Sequence, residues 1–441
     1  MAMLLDLVYL LLLAAVSPWL VWRAVRTGRY RQGWRQKLFG RTPRRIGDHP
    51  CMWFHAVSVG EVNLLETLLE PLAQRHPDWD IFISTTTRTG FELARRKYAN
   101  FPVFYCPLDF SWAVSRAVRR VRPDVLLLAE LELWPNLIRI AHQQGAKVAV
   151  VNGRLSERSF RGYRRIAPLA AWMLRQVDLI AAQNEEYAER FRQLGAAPQS
   201  VVVTGSVKFD GARSDRDHEA AEHLRELVGI SPEDHVFLAG STQAPEEQCA
   251  LDAYLRLRDE YPRLRLILVP RHPDRFEEVA ALLDRSGVAW SKRSKMPPDA
   301  AGESDADQAA RVLLVDTVGE LGSWWATASV GFVGGSLGNR GGQNMIEPAA
   351  YGVAVSFGPN TRNFRDVVAM LLDREAAVVV HDVEQMTQFL RRTLDDPAFA
   401  DALGRRAREL VQSQQGAAER TLRQVVRLLS LAKQSRDRAA A

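Results

Sequence analysis

Cysteine is scarce in this chain, and its few cysteines follow no recognisable pattern. The 441 residues include three, Cys51, Cys106 and Cys249, which lie far apart and without metal-ligand spacing. Such a set argues against a disulfide scaffold and is typical of a reducing compartment. Two nucleotide-binding signatures are also absent, because the glycines match neither GxGxxG after the first predicted strand nor the P-loop pattern. The composition, 47% hydrophobic and 25% charged, is that of a globular protein.

Acidic residues are missing from a segment near the N-terminus that is crowded with cations. Its basic residues are Arg23, Arg26, Arg29, Arg31, Arg35, Lys37, Arg41, Arg44 and Arg45. The segment follows an apolar run, 4–22, whose only charge is Asp6. As a helix this run would nearly cross the ~30 Å hydrocarbon layer.

We therefore predict a membrane anchor over 1–22 and a basic juxtamembrane segment over 23–49 that binds anionic lipid headgroups. The positive-inside rule then places the rest of the chain in the cytoplasm. A helix lying in the membrane interface stays an alternative, because Asp6 and Pro18 both weaken a span. The order of charge and apolar run argues against a cleaved signal peptide. The anchor is expected to contribute nothing to the domains that follow.

Two series of alternating strand and helix patterns follow the basic segment. The predicted strands of the first series are 52–57, 81–84, 125–129, 147–151 and 201–204, and those of the second are 235–239, 265–269, 312–315, 330–333 and 353–356. Short apolar runs between helical patterns predict parallel sheets. Since a single core stops growing well below this chain length, we expect two α/β domains, 50–211 and 212–434, with the active site in a cleft between them.

Glu61 follows the first predicted strand at a turn that Gly60 permits, just before a helical pattern. A carboxylate at such a strand end suits a general base, because deprotonating a sugar hydroxyl needs a carboxylate near the reacting oxygen. A glutamate in the first turn of a helix also interacts favourably with the helix dipole, by roughly 0.3–1 kcal/mol. The local sequence leaves both interpretations open.

Two more carboxylates, Glu130 and Glu132, follow the strand 125–129. They either line a site or cap the next helix and pair with arginines such as Arg154 or Arg158. Lys208 follows the strand 201–204. A lone lysine is usually only solvated, but near a sugar-nucleotide phosphate it would offset charge that develops on the leaving group.

Candidate nucleotide contacts follow three strands of the second series. Pro270 and Arg271 form either a rigid surface turn or a turn that presents a phosphate or base partner. Glycines at 334–335 and 341–342 would let the backbone approach a phosphate, a helix start would supply N–H groups, and a glutamate would accept ribose hydroxyls. The residues of these later segments are Val318, Gly319, Glu320, Asn344, Met345, Ile346 and Glu347.

No metal site is predicted. The DxD pairs at 78/80, 215/217 and 305/307 fall in turns or surface loops, not at strand ends. Neither a cofactor nor a nucleic-acid partner is expected.

Five collinear blocks carry a family resemblance. They are 55–61 (HAVSVGE), 130–137 (ELELWPNL), 181–186 (AAQNEE), 204–210 (TGSVKFD) and 334–348, which begins Gly334-Gly335-Ser336 and ends Glu347-Pro348. Together with the N-terminal anchor they resemble the Kdo (3-deoxy-manno-octulosonic acid) transferases of lipopolysaccharide assembly, over nearly the whole chain. The resemblance implies a GT-B glycosyltransferase fold at the cytoplasmic face of the inner membrane, with CMP-Kdo bound by the C-terminal half and the lipid A precursor (lipid IVA) by the N-terminal half.

The resemblance also implies residue roles. Glu61 matches the catalytic base, and Glu130 and Lys208 match groups that stabilise the transition state. The donor contacts implied are Pro270, Arg271, Val318, Gly319, Glu320, Asn344, Met345, Ile346 and Glu347. The implied chemistry is inverting and metal-independent. The chain departs from the family where Gln343 replaces a usual His and Val318 an often-seen Met.

Two other functions remain open at this stage. Another GT-B transferase, using a UDP-sugar on a lipid-linked acceptor, would share the architecture and anchor but should lack the pair Glu61 and Glu130. A membrane-docked nucleotide-binding protein without catalysis would also fit the domain pattern. Release of CMP rather than UDP in the presence of a lipid acceptor would distinguish these functions.

Overall fold

The computed structural model describes residues 2–27, 32–296 and 310–440. The chain divides into two compact units. The first comprises the residues up to Gly211 together with those from Gln414 onward, and the second comprises Ala212–Ser413.

The first unit is built on a parallel sheet of seven strands in the order β3-β2-β1-β4-β5-β6-β7. The central strands are apolar along their whole length because both faces of the sheet are covered, as in other parallel sheets. All five residues of β4, for example, are buried. The strands are β1 (Cys51–His55), β2 (Asp80–Thr85), β3 (Val103–Tyr105), β4 (Val125–Ala129), β5 (Lys147–Gly153), β6 (Leu179–Ala182) and β7 (Val201–Val203).

Helices cover both faces of this sheet. Trp53 and Leu126 point into one buried cluster, whereas Phe54 and Leu127 point into the other. The helices are α1 (Ala2–Thr27), α2 (Trp34–Phe39), α3 (Val59–Leu64), α4 (Glu66–Arg75), α5 (Arg88–Lys97), α6 (Ser111–Val121), α7 (Pro135–Gln143), α8 (Glu157–Arg164), α9 (Ala167–Leu174) and α10 (Glu185–Gln193). Because α3, α5, α6, α7, α8 and α10 each follow a strand, the C-terminal edge of the sheet collects helix N-termini and the loops before them.

The N-terminal helix α1 is bonded to this edge, so the expectation that it contributes nothing to the domain is wrong. Asp6 accepts hydrogen bonds from the backbone N–H (2.8 Å) and the hydroxyl (2.5 Å) of Ser111. It thereby caps α6, whose own N-cap residue offers no side-chain bond. The Tyr9 hydroxyl donates to Asp109, which accepts the N–H groups of Asn136 and Leu137 at the start of α7.

The predicted membrane-spanning anchor is not confirmed. Within the described part of the chain, no helix combines the length and the apolar character needed to cross a bilayer.

The final helix also belongs to the first unit, which corrects the predicted domain 212–434. Helix α19 (Ala417–Ala440) adds Leu422, Val425 and Leu429 to the cluster beneath the first sheet. Its start is held by Asp210, whose carboxylate accepts the N–H groups of Gly416 (2.5 Å) and Ala418 (2.7 Å). Chain order alone suggested the second domain, but the uncovered apolar face of the first sheet decides where this helix packs.

The second unit repeats the design with seven parallel strands in the order β10-β11-β9-β8-β12-β13-β14. The strands are β8 (His235–Thr242), β9 (Leu264–Pro270), β10 (Trp290–Lys292), β11 (Val312–Leu314), β12 (Val330–Val333), β13 (Ala354–Phe357) and β14 (Val378–Val379). The described helices are α11 (Glu219–Leu227), α12 (Glu246–Leu257), α13 (Phe276–Ser286), α14 (Leu321–Thr327), α15 (Ile346–Ala350), α16 (Arg365–Asp373), α17 (Val383–Asp395) and α18 (Pro397–Gln414).

Candidate active site

Glu61 lies in the first turn of α3, at the C-terminal end of β1. Its carboxylate accepts hydrogen bonds from the Val57 N–H and the Ser58 hydroxyl, both 2.8 Å long, while Ser58 caps the helix by accepting the Glu61 N–H. This is close to a capping box, so the structural interpretation of Glu61 holds. The carboxylate is nevertheless only half-buried, and burial followed by the charge of Glu130 raises its pKa against the opposing hydrogen bonds. A raised pKa suits a base, so the structural role of Glu61 does not exclude a catalytic one.

Glu130 and Lys208 form an ion pair at the same edge of the sheet. The Lys208 Nζ lies 2.8 Å from Glu130 Oε1, and both side chains remain partly exposed. Glu130 has a φ of 54°, a left-handed conformation that is costly for a residue with a side chain and recurs at functional sites. The turn before Lys208 is fixed by Asn152, whose Oδ1 accepts the Val207 N–H. The carboxylate thus pairs with Lys208, which the sequence did not suggest.

Glu132 is a third carboxylate at this edge, and it was not among the catalytic residues predicted from the sequence. The Trp134 indole N–H donates to it over 3.0 Å. Burial first, then the charges of Glu61 and Glu130, raise its pKa to about 7. Its side chain therefore changes charge near neutral pH, beside the candidate base.

In the second unit, two of the predicted donor segments differ in how free their side chains are. Arg271 follows Pro270 at the end of β9, is exposed, and is anchored by a backbone bond to Thr242. Val318 is 80% exposed and Gly319 has a φ of 102°. Glu320, in contrast, binds Arg293 in a bidentate pair and accepts the Thr317 hydroxyl. The turn therefore offers backbone and an apolar side chain more readily than its carboxylate.

The segment 344–347 holds its glutamate in a defined position. The Asn344 amide donates to Glu347 over 2.8 Å, and its oxygen accepts the Ile346 N–H. Burial raises the pKa of Glu347, while the Asn344 bond and the nearby Arg271 charge oppose this shift. Met345 and Ile346 are buried and anchor the segment in the domain. Arg271 thus lies near enough for its charge to act on Glu347.

The glycine loop after β12 differs from its predicted role as a phosphate cradle. The N–H groups of Gly335, Ser336 and Leu337 point at the carboxylate of Glu246, at 2.7, 2.8 and 2.9 Å. Glu246 is the first residue of α12, and it was not among the site residues predicted from the sequence. Its one sequence signal is positional, because it follows β8 as Glu61 follows β1.

Comparison with known proteins identifies the family. The family model described as 3-deoxy-D-manno-octulosonic-acid transferase (kdotransferase) matches residues 31–211. A 3-deoxy-D-manno-octulosonic acid transferase of Bordetella pertussis is 33% identical over 436 residues, which cover 94% of this chain and 97% of that protein. The chain belongs to the Kdo transferase family.

A second relative of this Kdo transferase is longer. The bifunctional glycosyltransferase/methyltransferase of Fusobacterium nucleatum subsp. nucleatum is 32% identical over 359 residues, which cover 81% of this chain and 54% of that protein. The Kdo transferase therefore spans about half the length of that relative. Its family membership makes it a glycosyltransferase.

A solved structure agrees with the predicted architecture. The crystal structure of a glycosyltransferase from Rickettsia africae ESF-5 matches the Kdo transferase with a TM-score of 0.56 at 11% identity, covering 88% of this chain and 99% of that one. At this identity the likeness concerns the fold alone. The predicted pair of α/β domains with parallel sheets is confirmed, and the fold is like that of GT-B enzymes.

Two of the three DxD pairs have structural partners in this chain. Asp80 pairs with Arg45, Asp217 pairs with Arg225, and the pair at 305/307 lies outside the described residues. Over the ranges that the structure describes, no group of three or more His, Cys, Asp or Glu side chains is arranged to hold a metal ion.

Proposed function

We propose that this Kdo transferase moves Kdo from CMP-Kdo to a primary hydroxyl of the lipid A precursor, lipid IVA, in lipopolysaccharide biosynthesis. Family membership supports the transferred sugar. The observation that carries the chemistry is the half-buried Glu61, held at a sheet edge beside the Glu130–Lys208 pair with a raised pKa. The position of Glu61 at this edge also supports the proposal that the first unit binds the acceptor.

Glu61 acts as the general base in this proposal. It takes the proton of the acceptor hydroxyl as the oxygen forms a bond to the anomeric carbon of Kdo. The bond between that carbon and the phosphate oxygen breaks on the opposite side, and CMP leaves with the electron pair as a phosphate monoester. One displacement inverts the anomeric configuration, and the proton ends on Glu61 before it passes to solvent.

Cationic side chains stabilise the leaving phosphate. Glu130 Oε1 occupies one of the three N–H donors of Lys208, which leaves the ammonium able to meet a phosphate oxygen as well. Arg271 adds a second charge near Glu347. We propose that these cationic side chains take the place of a divalent cation, so that the transfer is metal-independent.

The donor nucleotide is bound by the second unit. Glu347, fixed by Asn344, is placed to accept hydrogen bonds from ribose hydroxyls, and the Pro270–Arg271 turn presents backbone groups and a cation. The exposed Val318 and Gly319 add a surface against which a base can pack.

The protein is further proposed to work at the cytoplasmic face of the inner membrane, with α1 lying in the interface. Asp6 and Tyr9 bind the domain, whereas Leu7, Leu11 and Trp22 are exposed on the same helix. Exposed apolar side chains next to cations suit an anionic lipid surface. Arg45 takes no part, because it is buried in a pair with Asp80.

The test combines donor, acceptor and chelator. The full-length protein is incubated with lipid IVA and either CMP-Kdo or a UDP-sugar, with and without EDTA. The mass of the lipid product is then measured by mass spectrometry. We expect CMP release and a mass increase of whole Kdo units, unaffected by EDTA. UDP release instead, or activity that only magnesium restores, would reject the proposal.

A further inference from the structure

The carboxylate of Glu246 is buried. Within the described part of the chain, each hydrogen bond that it accepts comes from a backbone N–H group. It is 1% exposed and lies in the second unit at the start of α12. Besides the three amides of the glycine loop, it accepts the Gln243 N–H over 2.9 Å. Its partners Gly335, Ser336 and Leu337 are 89 to 91 residues away in the chain.

Three consecutive N–H groups that converge on one point form a site for an anion. Here the chain supplies that anion itself. Burial raises the pKa of Glu246, but the amide hydrogen bonds act in the opposite direction and favour the charged form. Charge-assisted hydrogen bonds of normal length are the strong class, which offsets the cost of burying the carboxylate.

The backbone at Gly334 packs closely against β8 and the Glu246 carboxylate. A side chain on Gly334 would place its Cβ 2.6 Å from the Ser241 carbonyl oxygen and 2.8 Å from the Glu246 carboxylate. Because Glu246 occupies the N–H groups of Gly335, Ser336 and Leu337, these groups are not available to a donor phosphate.

The loop that Glu246 holds leads directly into the candidate donor segment. The Gly335 carbonyl accepts the Gly342 N–H over 2.7 Å, which closes the loop two residues before Asn344. The Ser336 hydroxyl accepts the Gly358 N–H over 2.8 Å. Gly335 and Ser336 thus connect the carboxylate on one side to the donor segment on the other.

We propose that Glu246 is a positioning residue for donor binding, which fixes the glycine loop 335–337 and through it the segment Asn344–Glu347. The inference rests on the proposed function for the identity of the donor. Glu246 would set donor affinity and leave the rate of the chemical step to the first unit.

The test is Glu246→Gln in the full-length protein. The amide keeps the size of the side chain, but its NH2 group faces N–H donors, so the loop loses its fixed position. We expect the Kd for CMP and the KM for CMP-Kdo to rise about tenfold or more, with kcat little changed. Amide hydrogen exchange at 335–337 should become faster.

A matched control variant separates an effect on donor binding from an effect on folding stability. Asp234 is likewise a buried carboxylate next to β8, but at the opposite end of the strand, where it binds Arg265 and Arg311. Asp234→Asn should lower the melting temperature without changing CMP affinity. If Glu246→Gln lowers stability yet binds CMP as the wild type does, the positioning role is refuted.

A shorter carboxylate covers the case in which Glu246→Gln does not fold. Glu246→Asp keeps the charge but cannot reach all four amides, so it should raise the KM for CMP-Kdo, and an unchanged KM would refute the proposal. Wild-type protein that neither binds CMP nor releases it from CMP-Kdo would instead remove the proposed function.

Discussion

Glu61 and Glu246 occupy the same place in two similar sheets. Glu61 follows β1 and Glu246 follows β8, which are the first strands of their units. Both strands are central in their sheets, since β1 lies between β2 and β4, and β8 lies between β9 and β12. Each lies in the first turn of the helix that follows. Glu61 binds one amide and one hydroxyl and stays half-exposed, whereas Glu246 binds four amides and is buried.

The difference shows what makes a first-turn carboxylate available for chemistry. Both residues stabilise local backbone, so capping does not by itself argue against catalysis. What separates them is the number of amides that each carboxylate serves and the access left to a substrate. A carboxylate with a raised pKa and an open side can accept a proton, and one enclosed by amides can only hold a loop.

The largest expected effect is on Glu61. Glu61→Gln should lower kcat by roughly 10²–10⁴-fold and leave the Kd for CMP unchanged, because base catalysis is lost while the donor unit is untouched. The measurement is steady-state CMP release with lipid IVA, beside CMP binding by calorimetry. Glu157→Gln, which alters an exposed first-turn glutamate of α8, should keep normal turnover. A Glu61→Gln variant with near-normal kcat would make Glu61 as structural as Glu246.

A second large effect concerns the partner of Glu130. Lys208→Met keeps the length of the side chain but removes its charge, and should lower kcat by roughly 10²–10³-fold if Lys208 meets the departing phosphate. The double variant Glu130→Gln/Lys208→Met tests whether the Lys208 charge acts on the phosphate or only neutralises Glu130. It should stay slow. Recovery of kcat would show that Lys208 serves only to neutralise Glu130.

A smaller effect is expected in the pH profile. The pKa of Glu132 is about 7, raised by burial and by the charges of Glu61 and Glu130. Repulsion between Glu61 and Glu132 is mutual, so a neutral amide at 132 lowers the pKa of Glu61. The base form then persists to lower pH, and the acid limb of kcat/KM in Glu132→Gln should shift downward. An unmoved limb would show that the two carboxylates titrate independently.

The smallest effect is expected at Asp6, whose carboxylate caps α6. Asp6→Ala removes two hydrogen bonds to Ser111 and should lower the free energy of unfolding by about 0.5–2 kcal/mol, with kcat in detergent unchanged. Urea unfolding measures the loss. Leu11→Ala alters a 63% exposed residue of the same helix and should not change stability. A fall in kcat would extend the site to α1.

The sequence predicted the long buried strands well, because an apolar run such as Val125–Ala129 is readable from composition alone. It missed the four-residue strand β6 and three edge strands of two or three residues, β3, β10 and β14, because such short strands give little local pattern and are stabilised by their neighbours. Glu61 could be proposed as a site residue because its motif is contiguous. The roles of Glu246 and Asp6 depend on partners about 90 and 105 residues away, which no local pattern reveals.

The return of α19 to the first unit has a consequence for synthesis on the ribosome. The part of the first sheet that α19 covers stays open until Gly416 follows Asp210, a separation of 206 residues. At about 5–20 residues per second this interval is roughly 10–40 s. During that time the nascent chain exposes the apolar residues that Leu422, Val425 and Leu429 later cover. The first half to emerge is therefore the last to be completed.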